Sequence, residues 1–158
     1  MDTGLVVRAA IAAWVVLALA ACGGGGGSAG SEAGDFMEDV YTARASGDYG
    51  AYYDKLHPSQ QALVSRNTFV SCLNRSKRSG TALKQVKILD TYDSDLEQQG
   101  IPQRQAEVVV VRVETERAGK TANDIQVAYA VKVGDGYRWL LGPDAASTLA
   151  EGDCPSGA

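Results

Sequence analysis

Two glycine-bearing turns constrain this chain most. Ala118-Gly119-Lys120 and Gly134-Asp135-Gly136 each separate apolar stretches of strand character. Glycine supplies the positive φ that tight hairpins need, and so short a connection joins antiparallel neighbours. The stretch 104–116 is valine-rich through Val108, Val109, Val110, Val111 and Val113. The stretch 122–133 alternates through Ile125, Val127, Tyr129, Val131 and Val133, and 137–141 follows the second turn. Upstream, 82–92 alternates with Val86 and Ile88 on one face and Lys87 and Leu89 on the other. These patterns predict four antiparallel strands in a meander.

Before Gly80 the period is helical. Residues 35–45 carry Phe36, Met37, Val40, Tyr41 and Ala43 at helical spacing, with Glu38, Asp39 and Arg44 opposite. Asp35 is the expected cap and Gly47 the stop. Asp48 is the expected cap of a second helix over 49–56, whose Tyr49, Tyr52, Tyr53 and Leu56 form an aromatic face. Pro58 disfavours helix at His57. Ser59 is placed to cap a further turn over 60–64, and Ser65 a third helix over 66–75 that buries Phe69, Cys72 and Leu73. Its basic exit, 75–80, reads as a helix C-terminal cap rather than a binding patch, because cations are favourable there. Helices first and an antiparallel meander second is an α+β layout, with three N-terminal helices on one sheet face.

The N-terminus follows different rules. Residues 9–21 are apolar and uncharged. As a helix they would span about 20 Å, whereas a hydrocarbon core of about 30 Å takes roughly 20 residues. That length suits the apolar region of a secretory signal. It ends in Leu19-Ala20-Ala21-Cys22, and glycines occupy 23–27. An aliphatic residue, two small residues and a cysteine resemble the lipobox of bacterial lipoproteins. The resemblance implies cleavage before Cys22 and a diacylglyceryl thioether on its thiol. One acyl chain binds membranes marginally, and two or more anchor stably. The expected organisation is a signal peptide at 1–21, a flexible glycine-rich tether at 22–34 and one folded domain at 35–158. The domain would be exported and held on the outer face of the cell membrane. As a coil the tether would reach roughly 20 Å.

With Cys22 assigned to lipid, Cys72 and Cys154 remain. In an oxidising compartment they are expected to pair, the alternative being two unrelated buried thiols. Two cysteines and the distant His57 make a poor metal ligand set, and no cofactor is expected. The net charge is -4. Residues 1–21 hold one Asp2 and one Arg8, so the remaining 137 (158 minus 21) keep that charge. A mildly acidic balance argues against nucleic acid and against electrostatic binding to anionic lipid.

Four stretches carry a further resemblance: Phe36-Met37-Glu38-Asp39-Val40-Tyr41, Ala45-Ser46-Gly47-Asp48-Tyr49, Leu56-His57-Pro58-Ser59 and Gly136-Tyr137-Arg138-Trp139-Leu140-Leu141. Their order resembles the NTF2-like family, also called SnoaL or ketosteroid-isomerase-like. The resemblance covers residues 35–141 and implies a cone of helices on a curved sheet around a pocket. Tyr52, Tyr53, Tyr129 and Trp139 would line or plug it, with Arg112 also at the pocket. Family enzymes use an Asp or His base inside the cone, often with a Tyr or Asp donor. Here His57 precedes a proline and reads as a solvent-facing turn histidine. Asp90 and Arg112 would anchor a polar ligand only if both faced the cone; a solvent face is the other reading. Asp93-Ser94-Asp95 begins like an EF-hand, but Gln98 stands at the sixth position and Arg104 at the twelfth. Without the required Gly and Glu, 93–103 reads as a solvated loop. Two functions follow from the resemblance. One is a non-catalytic lipoprotein domain binding an apolar small molecule or an envelope protein. The other is a SnoaL-like isomerase or cyclase-type enzyme, which the lack of an acid/base pair disfavours.

Overall fold

A computed structural model of the chain describes residues 31–76 and 80–155. The apolar segment 9–21, Cys22, the glycine run and residues 77–79 of the basic exit lie outside the described residues.

Helix α1 (Glu32–Ser46) begins earlier than expected. Ser31, in extended conformation, caps it by accepting from the Gly34 N–H at 3.0 Å. The expected cap Asp35 instead sits in the first turn with Glu32, where carboxylates suit the helix dipole. Residues 32–34, assigned above to the tether, are therefore helix. Gly34 is buried, and a Cβ there would lie 3.5 Å from Ile88 and 3.6 Å from Thr91. Those are ordinary contact distances, so the sheet would accept a methyl group there; the tighter neighbour is the capping Ser31 Oγ, at 3.2 Å. Gly47, at φ 84°, closes the helix.

Helices α2 (Tyr49–Asp54), α3 (Pro58–Gln61) and α4 (Arg66–Ser76) follow, and α5 (Pro143–Ala150) comes after the sheet. Among the described residues four helices precede the sheet and one follows it, in place of the expected three. Two prolines account for much of the difference. Pro58 and Pro143 both stand at the start of a helix, where a missing N–H costs nothing. Helix α2 stops at Asp54, and Leu56 instead forms a parallel bridge to Trp139.

Strands β1 (Thr81–Asp95), β2 (Gln105–Arg117), β3 (Lys120–Val133) and β4 (Gly136–Trp139) form one open antiparallel sheet in chain order. Gly119 and Gly134 take φ 73° and 62° in the turns. β1 extends through Asp95, so Asp93 and Asp95 pair with Glu107 and Gln105. The segment beyond is not simply a solvated loop either: Leu96 and Ile101 are buried with Ala106, Val131 and Leu140.

The register assigns each face. Val86↔Val113, Ile88↔Val111 and Val109↔Ala128 lie on the helix side. There Val109, Val111, Val113, Ala128 and Ala130 are buried in one cluster with Met37, Val40, Tyr52 and Trp139. Lys87↔Arg112↔Ile125, Asp90↔Val110↔Val127 and Tyr92↔Val108↔Tyr129 lie on the opposite face. A disulfide joins Cys72 of α4 to Cys154, beyond α5.

Candidate functional site

The five residues expected around a single pocket divide between the two faces. Tyr52 and Trp139 stack with ring centroids 4.2 Å apart and 19° between planes. The Trp139 indole N–H donates to the Tyr52 carbonyl at 2.9 Å. Tyr53 packs on Phe69 at 5.4 Å, and its hydroxyl reaches the carbonyls of Gln61 (3.0 Å) and Val64 (2.9 Å). All three rings are buried, and burial raises the Tyr52 phenol's pKa. Below them the buried residues of β3 are the small Ala128 and Ala130, which leaves room for the rings between helices and sheet. They pack as members of the buried core cluster. Tyr129 and Arg112 stand on the other face, with Asp90. The Asp90–Arg112 anchor therefore does not face the helices.

His57 is the clearest departure from expectation. It is 3% exposed and caps α3. Its Nδ1 accepts from the Ser59 N–H at 3.1 Å, so Nε2 carries the proton and donates to Gln103 Oε1 at 3.1 Å. Its own N–H donates to the Trp139 carbonyl at 3.0 Å. Burial lowers its pKa from the usual value; the Gln103 bond opposes this and Arg138 adds to it. Because the folded ring takes a proton less readily than the unfolded one, this contribution is complete above the unfolded value of 6.5 and declines as pH falls below it. We expect urea midpoints to fall between about pH 7 and pH 5, above the range of ordinary carboxylates. His57→Asn retains a capping oxygen and removes the chain's one histidine. It should cost about 1 kcal/mol at pH 7 and flatten the profile. Parallel profiles for the two proteins would refute the assignment.

The sequence reading missed one pair. The Tyr137 hydroxyl donates to the Glu107 carboxylate across the helix-side face. That bond, then burial, pushes the phenol up to about 12. Phe36 lies 6.1 Å from the ring, and Lys132 lies 5.4 Å from its centroid. Counting in twos from Val109 and from Trp139 places Glu107 and Tyr137 on one face, so alternation carried the signal. A phenol held protonated against a carboxylate bridges two strands. It is not tuned to take a proton near neutral pH.

The face turned away from the helices is apolar along β3. Ile125 is 59% exposed, Val127 56% and Tyr129 38%. Tyr92 lies across Val108 from Tyr129 and is also exposed. Lys87, Asp90 and Arg112 bring both charge signs to the β1 side of this strip. Further along, the loop residues Leu96 and Ile101 cover Ala106 and Val131. Among the described residues there is no cluster of three or more groups that could hold a metal. None of their helices is long and apolar enough to cross a membrane. No protein-family model matches the chain, and neither curated proteins nor solved structures give a significant match.

Proposed function

We propose that the chain is an exported lipoprotein, anchored through Cys22, whose NTF2-like domain is non-catalytic and holds an envelope protein partner on the outward sheet face. The carrying observation is the Ile125–Val127–Tyr129 strip. The clearest alternation in the sequence turns its apolar side to solvent. Large exposed apolar patches on small domains mark interaction sites. A small apolar ligand calls for a concave, enclosed site, whereas this strip is open and the interior holds Tyr52 and Trp139. A partner with an apolar centre and flanking charges would meet the strip and then Arg112 and Asp90. The Leu19-Ala20-Ala21-Cys22 motif and the glycines after it support the anchoring half of the reading.

Two measurements test it. Mass spectrometry of the membrane fraction should find diacylglyceryl on Cys22; a free, unmodified Cys22 there would sink the anchor. A photo-crosslinking residue at Val127 should capture one partner of defined mass. The same probe at Leu63, 43% exposed on the helical side, should not. Val127→Asp should weaken that complex about 10- to 100-fold, as loss of an interface hot spot does. Equal crosslinking at both positions would remove the sheet face from the proposal.

A further inference from the structure

The outer edge of β1 carries a second surface. β1 is an edge strand, so alternate backbone N–H and C=O groups along it point away from β2. Proteins guard such edges with bulges and lysines, and β1 has register shifts between Leu83 and Gln85 and between Ile88 and Asp90. Between the two shifts, Gln85, Val86, Lys87 and Ile88 keep regular pairing with Glu114, Val113, Arg112 and Val111. A groove of about 460 Å³ runs along this same stretch. One wall is α1, which presents Asp35 and Glu38. The other is the outward sheet face, with Lys87 and Arg112 on one rung and Gln85 and Glu114 on the next. Asp35, Glu38, Lys87 and Arg112 are exposed. Among the described residues the ion pairs join other groups.

We propose that this edge accepts an extended segment of a partner protein as a fifth strand, with the local pattern basic–acidic–basic. Added strands gain main-chain hydrogen bonds, and their side chains alternate between the two faces. A segment paired with Gln85–Ile88 sends residues i−1 and i+1 toward α1, where Asp35 and Glu38 select cations. It sends residue i toward Lys87 and Arg112, which select an anion. Glu114 lies one rung on beside neutral Gln85, so the acidic preference belongs to the Lys87 rung. A second copy of this chain fits poorly, because edge-to-edge pairing here brings Lys87 against Lys87. This surface shares Lys87 and Arg112 with the border of the β3 strip, but its main-chain pairing and its α1 wall are its own, so peptide binding at the edge and crosslinking at Val127 can fail independently.

The test uses the full chain and a capped nonapeptide, Thr-Val-Thr-Lys-Glu-Lys-Thr-Val-Thr. Its sign-reversed counterpart carries Glu-Lys-Glu at the centre. The first peptide should bind with a dissociation constant on the order of 10–100 μM, in the range of weak peptide recognition. It should slow amide exchange within residues 85–88. The reversed peptide should bind at least about tenfold more weakly, since like charges then meet on both walls. Asp35→Asn with Glu38→Gln, and separately Lys87→Glu on the strand, should each weaken the first peptide about five- to tenfold; the α1 pair should also lower the melting temperature by a few degrees, because Asp35 is a first-turn carboxylate. Two independent variants keep the test intact should one disturb the fold. The proposal is overturned by absence of β1 protection at about 1 mM peptide, by equal binding of the two peptides, or by undiminished binding to both variants.

Discussion

Trp139→Ala should lose about 3–5 kcal/mol of folding stability in urea unfolding, the range for truncating a buried aromatic residue. Trp139 is where sheet and helices are joined. Its ring stacks on Tyr52, its indole N–H satisfies the Tyr52 carbonyl, and its backbone N–H donates to the Lys55 carbonyl at 3.2 Å. Its carbonyl accepts from His57. Alanine keeps the backbone bonds and leaves a void lined by Tyr52 and Ala130, which the pleated strand beneath can only partly fill. Trp139→Phe separates the terms. It retains a stackable ring but leaves a buried carbonyl unpaired, at about 1–3 kcal/mol. A domain of this size has about 5–15 kcal/mol in total, so the alanine variant should be partly unfolded near 37 °C. A loss below about 1 kcal/mol would mean the ring is not packed as described here.

Removing the Cys72–Cys154 bridge should have an effect of similar size through different physics. The bridged cysteines are 82 apart in sequence, and a loop of that length restricts the unfolded chain by about 4–5 kcal/mol in the chain-entropy account. Cys72→Ala with Cys154→Ala is the cleaner variant, because Cys72 is buried beside Phe69 and Leu73. α5 contributes Ala146 and Leu149 to the core. The bridge supplements those contacts, so its loss should first appear as faster amide exchange in 143–150. Unchanged urea midpoints with and without reductant would refute the account. Equal exchange in α5 and in β2 would show that the bridge acts globally and has no local role.

Much of the fold was legible because local chemistry decided it. Gly119 and Gly134 marked hairpins that backbone sterics require, and the valine run of β2 could hardly be anything but a strand. Ser65 was readable as a cap, and its hydroxyl does accept from the Thr68 N–H at 3.2 Å. The misreadings share a cause: each depended on a partner distant in the chain. Residues 32–34 looked like tether because glycine and alanine carry no pattern, and their place in a helix shows only in the burial of Ala33 and Gly34. His57 looked exposed because a residue before proline usually turns in solvent. Its ring is sealed by Gln103, 46 residues away. The β3 alternation was plain, but not which side it faced. β2 is apolar on both sides through Val108, Val109, Val110 and Val111, so either face could have been the core. Register with β2 placed Ala128 inward and Val127 outward. The assumed pocket lining failed at that step, with Tyr129 and Arg112 going to one side and Tyr52, Tyr53 and Trp139 to the other.

The meander has a kinetic corollary. Each strand pairs with its successor in the chain, so the hairpins close over short loops at little entropic cost. The contacts that attach the helices are of another kind. Tyr52 waits 87 residues for the Trp139 indole, and Gln60 waits 81 for the backbone of Leu141, which it both donates to and accepts from. Such distant closures slow folding relative to local ones. During synthesis α1 to α4 emerge before the sheet, with Tyr52 and Tyr53 of α2 able to pack on Phe69 of α4 but with no strand yet beneath them. α1 can settle on β1 and β2 as these strands form, and the last residues of β4 and the turn beyond it then fasten α2 and α3. The attachment of α2 and α3 to the sheet thus waits until nearly all of the domain has been made, and it rests on Trp139 and Leu141.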